Sequence, residues 1–138
     1  MNPTLERFKA TFNELNADNL DRLDAVYAAD VDFRDPVHAL RGFDALRAYY
    51  RRLYAGVEAC RFDYTDTVVQ GGTAVVLWTM HLRHRRFRPG ETLVLDGASH
   101  LGFGERVYRH HDYFDMGAFI YERVPVLGAV IRRIKSGL

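Results

Sequence analysis

The second half of the chain is a series of strand-like segments separated by short turns, and this pattern constrains the fold most. The predicted strands cover 61–69, 73–84, 92–103 and 106–115. Gln70-Gly71-Gly72 and Gly104-Glu105 are strong turn signals, while 85–90 is a longer connection. Because short turns join successive strands, the pattern predicts an antiparallel meander.

The first half of the chain has helical periodicity instead. Apolar residues recur at helical spacing in three segments: Leu5, Phe8, Phe12 and Leu15; Leu20, Leu23, Val26 and Tyr27; and Leu46, Tyr49, Tyr50, Leu53 and Tyr54. A short strand, 31–34, precedes Asp35-Pro36, where the proline favours an extended Asp35. Helices followed by a sheet predict a single α+β domain over 1–138.

The tail after Asp115 is predicted to be helical again, with Pro125 interrupting it. Its last part has one apolar face, formed by Val126, Leu127, Val130, Ile131, Ile134 and Leu138. Three cations lie opposite this face. The tail helix therefore packs on the sheet as a lid, forms an oligomer contact, or lies on a membrane surface. Packing is the default expectation.

Composition narrows the class of protein. The chain has 138 residues, a formal net charge of +1 and one cysteine, Cys60. The charge gives no electrostatic reason to expect nucleic acid, and the arginines around 83–88 are interpreted as a solvated connection. We expect a cytoplasmic protein without stable membrane insertion, since there is no disulfide framework, signal-peptide pattern or long apolar run.

Asp35 is the first candidate for chemistry. As a functional residue, it is a carboxylate at a strand end that faces a cavity, with its pKa raised by apolar neighbours so that it transfers protons. As a structural residue, it is an ordinary turn carboxylate, because Asp-Pro is common in turns. The local sequence alone favours the turn.

The second candidate is the segment 110–115, His-His-Asp-Tyr-Phe-Asp. On a strand, His110, Asp112 and Phe114 share one face, and His111 and Tyr113 share the other. A histidine beside an aspartate suits proton transfer. The alternative is a hydrogen-bonding network at a sheet surface. Periodicity does not decide which face points inward.

Metal or cofactor chemistry is not predicted. His81 and His84 are three residues apart, which sends them to opposite faces of a strand, and no ligand-spacing motif is present. The sequence has no glycine-rich phosphate loop and no nucleophile motif around Ser99 or Cys60. We therefore predict a protein that uses neither a metal nor a cofactor.

Several motifs occur in a characteristic order: 26–30, 33–36, Arg41-Gly42 before a helix ending in 49–53, the strand from 95 to 103, and Tyr113-Phe114. Together, over roughly 5–115, they resemble the nuclear transport factor 2-like superfamily, which includes SnoaL-like polyketide cyclases and ketosteroid isomerases. The resemblance implies a cone-shaped, curved antiparallel sheet wrapped around N-terminal helices, an apolar pocket, and a homodimer.

The resemblance also implies roles for individual residues. Asp35 corresponds to the general base, and His110, Asp112 and Phe114 to inward positions of the last strand. Further ligand contacts are expected from Tyr27, Tyr50, Ser99, Phe114 and Trp78. The family's oxyanion donors are replaced by Thr11 or Phe12 and by Ser99, so steroid isomerisation is not expected. The Arg-x-Asp signature of limonene-epoxide hydrolases is absent.

These observations lead to three hypotheses. The first is an enzyme that isomerises, dehydrates or cyclises a small apolar or polycyclic carbonyl compound by proton transfer, with Asp35 as base and His110 with Asp112 as second acid or base. The second is a binding protein that uses the same pocket without catalysis. The third is a dimeric accessory domain whose tail helix binds a partner. Burying Asp35, His110 and Asp112 together is costly, which favours the enzyme.

Overall fold

The computed structural model describes residues 2–86, 89–115 and 125–138. Its elements are α1 (Pro3–Glu14), a 3-10 helix (Leu20–Ala25), β1 (Tyr27–Arg34), β2 (Ala39–Arg41), α2 (Phe43–Tyr54), β3 (Val57–Gln70), β4 (Thr73–His84), β5 (Leu93–Phe103), β6 (Val107–Phe114) and α3 (Pro125–Ser136). Six strands form one sheet in the order β2-β1-β6-β5-β4-β3. The predicted α+β class, with helices before a curved sheet, is confirmed.

The predicted meander corresponds to β3, β4, β5 and β6, which pair antiparallel in succession. One part of the sheet differs from the prediction of a wholly antiparallel arrangement. Strand β1 runs parallel to β6, with Phe33 opposite His110. A parallel pair needs a long crossover, and the chain between β1 and β6 contains the rest of the sheet. The start of the sheet and its end therefore meet, which brings residues distant in sequence together.

Helix α1 closes the inner side of the sheet. It begins at the side chain of Asn2, whose Oδ1 accepts hydrogen bonds from the backbone N–H groups of Thr4 (2.9 Å) and Leu5 (3.2 Å). Its apolar stripe is buried as predicted, and the ring of Phe12 lies edge-on to Phe62 of β3 at 6.2 Å. This contact holds the helix across the concave face.

The second predicted helix is wrong in type and extent. The chain forms a short 3-10 helix that ends at Ala25, and Tyr27 begins β1. The reason is competition from the sheet: the Val107 N–H donates to the Val26 carbonyl at 2.8 Å, and Tyr27 pairs with Val107. The apolar pattern was nevertheless informative, because all four stripe residues are buried.

The tail helix α3 carries exposed apolar side chains, including Val130 (52% exposed) and Ile134 (62%). The helix predicted directly after Asp115 falls on 116–124, outside the described residues, as do Phe87 and Arg88 of the predicted connection. Within the described part of the chain, no helix has the length and apolarity needed to cross a membrane.

Candidate functional site

A cavity lies between the concave face of the sheet and helices α1 and α2. Its volume is about 130 Å³ for the centres of water-sized molecules, enough for several waters or a small organic molecule. Among the described residues, ten aromatic side chains line it: Phe8, Phe12, Phe33, Tyr49, Tyr50, Tyr54, Phe62, Tyr64, Trp78 and Phe114. The same part of the chain contributes two carboxylates, Asp35 and Asp112, to a lining that is otherwise mostly apolar.

The Asp112 carboxylate is held by neighbours on the sheet. Its Oδ1 accepts hydrogen bonds from Ser99 Oγ (2.5 Å) and from His110 Nε2 (2.6 Å). Ser99 is the direct cross-strand partner of Asp112, and His110 lies two residues earlier on the same face of β6. Within the described residues, Oδ2 of Asp112 accepts no hydrogen bond. One oxygen is thus fixed, while the other has no hydrogen-bond donor in the described part of the chain.

His110 is buried, with 2% of its surface exposed, and both ring nitrogens are engaged. Nδ1 lies 2.7 Å from the hydroxyl of Tyr27, which in turn lies 3.3 Å from the hydroxyl of Tyr50. When Nε2 of the neutral ring donates to Asp112, Nδ1 must accept from Tyr27. The order of donation is then Tyr50 to Tyr27 to His110 to Asp112. His110 orients Asp112 and presents neither nitrogen to the cavity.

A second hydrogen-bond chain reaches Asp112 from β4. The indole N–H of Trp78 donates to Ser99 Oγ at 3.0 Å, so the Ser99 hydroxyl proton is directed to Asp112. The Trp78 ring covers Gly97, its partner on β5. A Cβ atom at Gly97 would lie 2.3 Å from the ring. The absence of a side chain at Gly97 therefore allows Trp78 to reach Ser99.

Asp35 occupies a tight corner after β1. Its Oδ1 accepts hydrogen bonds from the backbone N–H groups of Val37 (2.8 Å) and His38 (2.7 Å). Its Oδ2 lies 2.7 Å from the donating hydroxyl of Tyr49, and the His38 ring lies 3.2 Å from Oδ1. The side chain is 6% exposed. Both sequence interpretations apply, because Asp35 closes a turn and also lines the cavity.

The expectation that the Asp35 pKa is raised is wrong. Burial does raise it, but the hydrogen bonds from Tyr49, Val37 and His38, with the charge interaction to His38, lower it by more. The net pKa lies below that of an ordinary aspartate. Asp35 is therefore a stable anion with two occupied oxygens rather than a strong base.

The tyrosines and the cysteine around the cavity are held in their neutral forms. Burial raises the pKa of Tyr49 above its usual value, as do its hydrogen bond to Asp35 and the charges of Asp35 and Asp112. Burial likewise raises the pKa of Cys60 to about 12, although Tyr54 lowers it slightly. The Cys60 thiol is therefore not a nucleophile at neutral pH.

The structure places most predicted site residues on the cavity wall: Asp35, Tyr50, Trp78, Ser99, His110, Asp112 and Phe114. Tyr27 is different, since it contacts His110 from behind and does not belong to the wall formed by the described residues. Sequence reasoning missed Tyr49 and His38 as partners of Asp35. Tyr49 on the apolar stripe of α2 was the available signal, because a tyrosine hydroxyl that is drawn into the interior usually finds a hydrogen-bond partner.

A metal site is not formed in the described part of the chain, where no three His, Cys, Asp or Glu side chains are grouped to hold an ion. What the arrangement offers chemically is different. It provides an acceptor oxygen at Asp112, a fixed anion at Asp35 and neutral tyrosine hydroxyls beside them. These are the elements of proton transfer in an apolar cavity.

Comparison with known proteins gives a consistent picture. The model of the SnoaL-like domain family matches residues 8–110. No protein of curated function matches the sequence. A solved nuclear transport factor 2-like protein of unknown function from Burkholderia pseudomallei is similar in structure, with a TM-score of 0.74 and 19% identity, covering 87% of this chain and 96% of that one.

Two further solved structures have the same fold. A candidate SnoaL-like polyketide cyclase from Shewanella denitrificans has a TM-score of 0.72 and 20% identity, covering 84% of this chain and 90% of that one. A protein with a ketosteroid isomerase-like fold from Catenulispora acidiphila, solved in complex with trimethylamine, has a TM-score of 0.72 and 16% identity, covering 84% and 88%. These likenesses show the fold alone.

Proposed function

Because the chain belongs to the SnoaL-like domain family, we propose that it is an isomerase-, dehydratase- or cyclase-type enzyme that transfers protons on a small, largely apolar carbonyl compound. The observation that carries the proposal is the available Oδ2 of Asp112 on an aromatic cavity wall, while Oδ1 is fixed by Ser99 and His110. A fixed carboxylate with one available oxygen is suited to accept a proton.

The proposed roles differ for the two carboxylates. Asp112 is the general base, and His110 is a positioning residue that orients it. Asp35 remains anionic and holds the hydroxyl of Tyr49 at the cavity, so this pair contacts the substrate at the other side. This assignment moves the base from Asp35, where the family resemblance placed it, to Asp112.

A deuterium-exchange assay tests the proposal on a range of compounds rather than on one chosen substrate. The protein is incubated in D₂O with a panel of small cyclic and aryl ketones, and deuterium gained at carbon next to the carbonyl is followed by NMR. We expect exchange above the buffer rate for at least one compound. Asp112→Asn should reduce it by about 10²–10⁴-fold, the usual contribution of a general base.

The matched control is Asp96→Asn, which changes an exposed aspartate on the opposite face of β5. Exchange should be unchanged in this variant. If Asp112→Asn exchanges as fast as the wild type on a compound that the wild type processes, Asp112 is not the base. If no ketone exchanges while ligands still bind the cavity, the non-catalytic binding protein becomes the better account.

The expected homodimer is part of the proposal, and the outer face of the sheet supports it. Leu77, Ala98 and Tyr113 are cross-strand neighbours there, with Leu77 38% and Tyr113 53% exposed. Apolar side chains aligned on a sheet face are typical of a surface that another copy covers. Light scattering after gel filtration would measure the mass, and a monomer at micromolar concentration would contradict the dimer.

A further inference from the structure

The charged groups of the cavity wall are predominantly acidic. Asp35 and Asp112 both contribute carboxylates, and the described residues that line the cavity include no lysine or arginine. His84 is a lining residue too, but burial and the nearby Arg86 and Arg85 lower its pKa, and its Nδ1 accepts the Arg86 N–H at 3.0 Å. His84 is thus held as a neutral ring.

Most of the hydrogen-bond donors to the two carboxylates are neutral groups. Asp35 accepts from a tyrosine and two backbone N–H groups, and Asp112 accepts from Ser99. The ion-pair partners of both within the described chain are histidines, His38 and His110, rather than arginine or lysine. The two carboxylates are largely buried, with side chains 6% (Asp35) and 19% (Asp112) exposed, and burial without a permanent counter-cation is costly. A cationic ligand would offset this cost.

The aromatic wall provides the second element of a cation site. Rings at different tilts surround the cavity: Phe62 is edge-on to Trp78 (5.4 Å, 87°), whereas Phe62 and Tyr64 are stacked (6.1 Å, 14°). Tyr49 and Tyr50 are tilted by 44° at 5.5 Å. A cation is attracted to a ring face within about 6 Å of the centroid, most strongly in a desolvated site. Several such rings line this one cavity.

From these contacts we infer that the cavity selects a small organic cation, a quaternary or protonated tertiary ammonium group, which the aromatic rings surround and which Asp35 and Asp112 balance electrostatically. The inference rests on the proposed function, since it assigns a substrate class to the same cavity. An anionic ligand would face two carboxylates, and a neutral one would bring no positive charge to Asp112, whose Oδ2 accepts no hydrogen bond from the described residues.

The size of the cavity limits the cation. A space of about 130 Å³ for water-sized centres admits a trimethylammonium group with a short side chain. Because Asp35 and Asp112 line the same cavity, we expect the substrate to carry both a cationic group and a reacting carbonyl, with the cation near Asp35 and the reacting carbon near Asp112.

A pair of isosteric probes tests the inference directly. Choline carries a trimethylammonium group, and 3,3-dimethyl-1-butanol replaces the nitrogen with carbon and removes the charge. Trp78 is the only tryptophan in the sequence and lines the cavity, so its fluorescence reports binding. At constant ionic strength we expect choline to bind at least tenfold more tightly than the alcohol.

Variants locate the effect. Asp35→Asn and Asp112→Asn should each weaken choline binding about tenfold and change binding of the alcohol less than twofold, whereas Asp96→Asn should change neither. The probe comparison needs no variant, so it stands even where a substitution prevents folding. Equal or tighter binding of the alcohol would overturn the inference, as would choline leaving Trp78 fluorescence unchanged.

These outcomes are distinguishable from failure of the proposed function. Deuterium exchange into a ketone together with no preference for choline removes the cation and leaves proton transfer. Tight choline binding without exchange into any ketone, including amino ketones, leaves the cation site and removes proton transfer.

Discussion

The two carboxylates of the cavity differ in what holds them. Asp35 is fixed by the local chain, because two of its donors are the backbone N–H groups of Val37 and His38. Asp112 is fixed by the sheet, through Ser99 of the neighbouring strand and His110 of its own strand. Both oxygens of Asp35 accept hydrogen bonds, whereas only Oδ1 of Asp112 does so from the residues that the structure describes.

In the proposed function, this difference assigns a stabilising role to Asp35 and the chemical role to Asp112. A carboxylate that satisfies fixed backbone donors contributes to the fold, and its low pKa makes it a poor base. Asp112, with Oδ1 held by side chains, has no hydrogen bond to Oδ2 from the described residues, and we propose that this oxygen meets the ligand. The resemblance to the isomerases pointed to the first as base, whereas the hydrogen bonds favour the second.

The largest change in stability is expected when each carboxylate is removed in turn, by Asp35→Ala and by Asp112→Ala. Asp35→Ala leaves two backbone N–H groups and the Tyr49 hydroxyl without their acceptor, so it should lower the free energy of unfolding by roughly 2–4 kcal/mol. Asp112→Ala should cost about 1–2 kcal/mol, because the Ser99 hydroxyl can rotate and water can enter from the cavity. Urea denaturation measures both, and the reverse order would break the comparison.

The next prediction concerns a substitution within the sheet, at Gly97 of β5. Gly97→Ala should displace the Trp78 ring, since the new Cβ would lie 2.3 Å from it, and so remove the Trp78 donor from Ser99. We expect a loss of about 1–3 kcal/mol in stability from overpacking and slower deuterium exchange. The matched control is Gly104→Ala, where a Cβ meets no atom within 4 Å. If Trp78 fluorescence and the rate of deuterium exchange were unchanged in Gly97→Ala, the hydrogen bonds from Trp78 through Ser99 would not support Asp112.

Much of this architecture could be predicted from the sequence. Turn signals at Gly71-Gly72 and Gly104-Glu105 located the meander, and apolar spacing located α1 and α2. Local pattern failed where distant segments decide the structure. The segment that begins at Val26 has a helical pattern but forms a strand, because it pairs with β6, some eighty positions later.

Most of the predicted site residues line the cavity, but the hydrogen bonds among them could not be predicted from the sequence. Alternation placed His110 and Asp112 on one face, and the family resemblance turned that face inward. The contacts of Tyr49 with Asp35 and of Trp78 with Ser99 join different elements, and neither is implied by spacing along the chain. The pKa direction of Asp35 was missed for the same reason, since the hydroxyl of Tyr49 comes from α2.

Removal of single hydroxyls gives a test of similar size that is specific to each carboxylate. Tyr49→Phe removes a donor to the Asp35 carboxylate and should cost about 1.5–3 kcal/mol of stability, because hydrogen bonds to charged groups are the stronger class. Tyr27→Phe removes a bond to the His110 ring and should cost about 1 kcal/mol. For a given loss of stability, the rate of deuterium exchange should fall more in Tyr27→Phe than in Tyr49→Phe. If Tyr49→Phe alone slowed exchange, the base would belong to the Asp35 corner.

Acid pH provides the smallest effect and the one most specific to Asp35. Its folded pKa is lower than that of the unfolded chain, about 3.9, so its charged form adds stability above that pH. As the pH falls below about 4, the unfolded state binds the proton first, and this contribution is lost on approach to the folded pKa. The stability gap between the wild type and Asp35→Asn, from urea denaturation at pH 6 and pH 3, should therefore narrow in acid. A gap that widened would mean that burial outweighs the hydrogen bonds, which would make Asp35 the stronger base and reverse the roles of the two carboxylates.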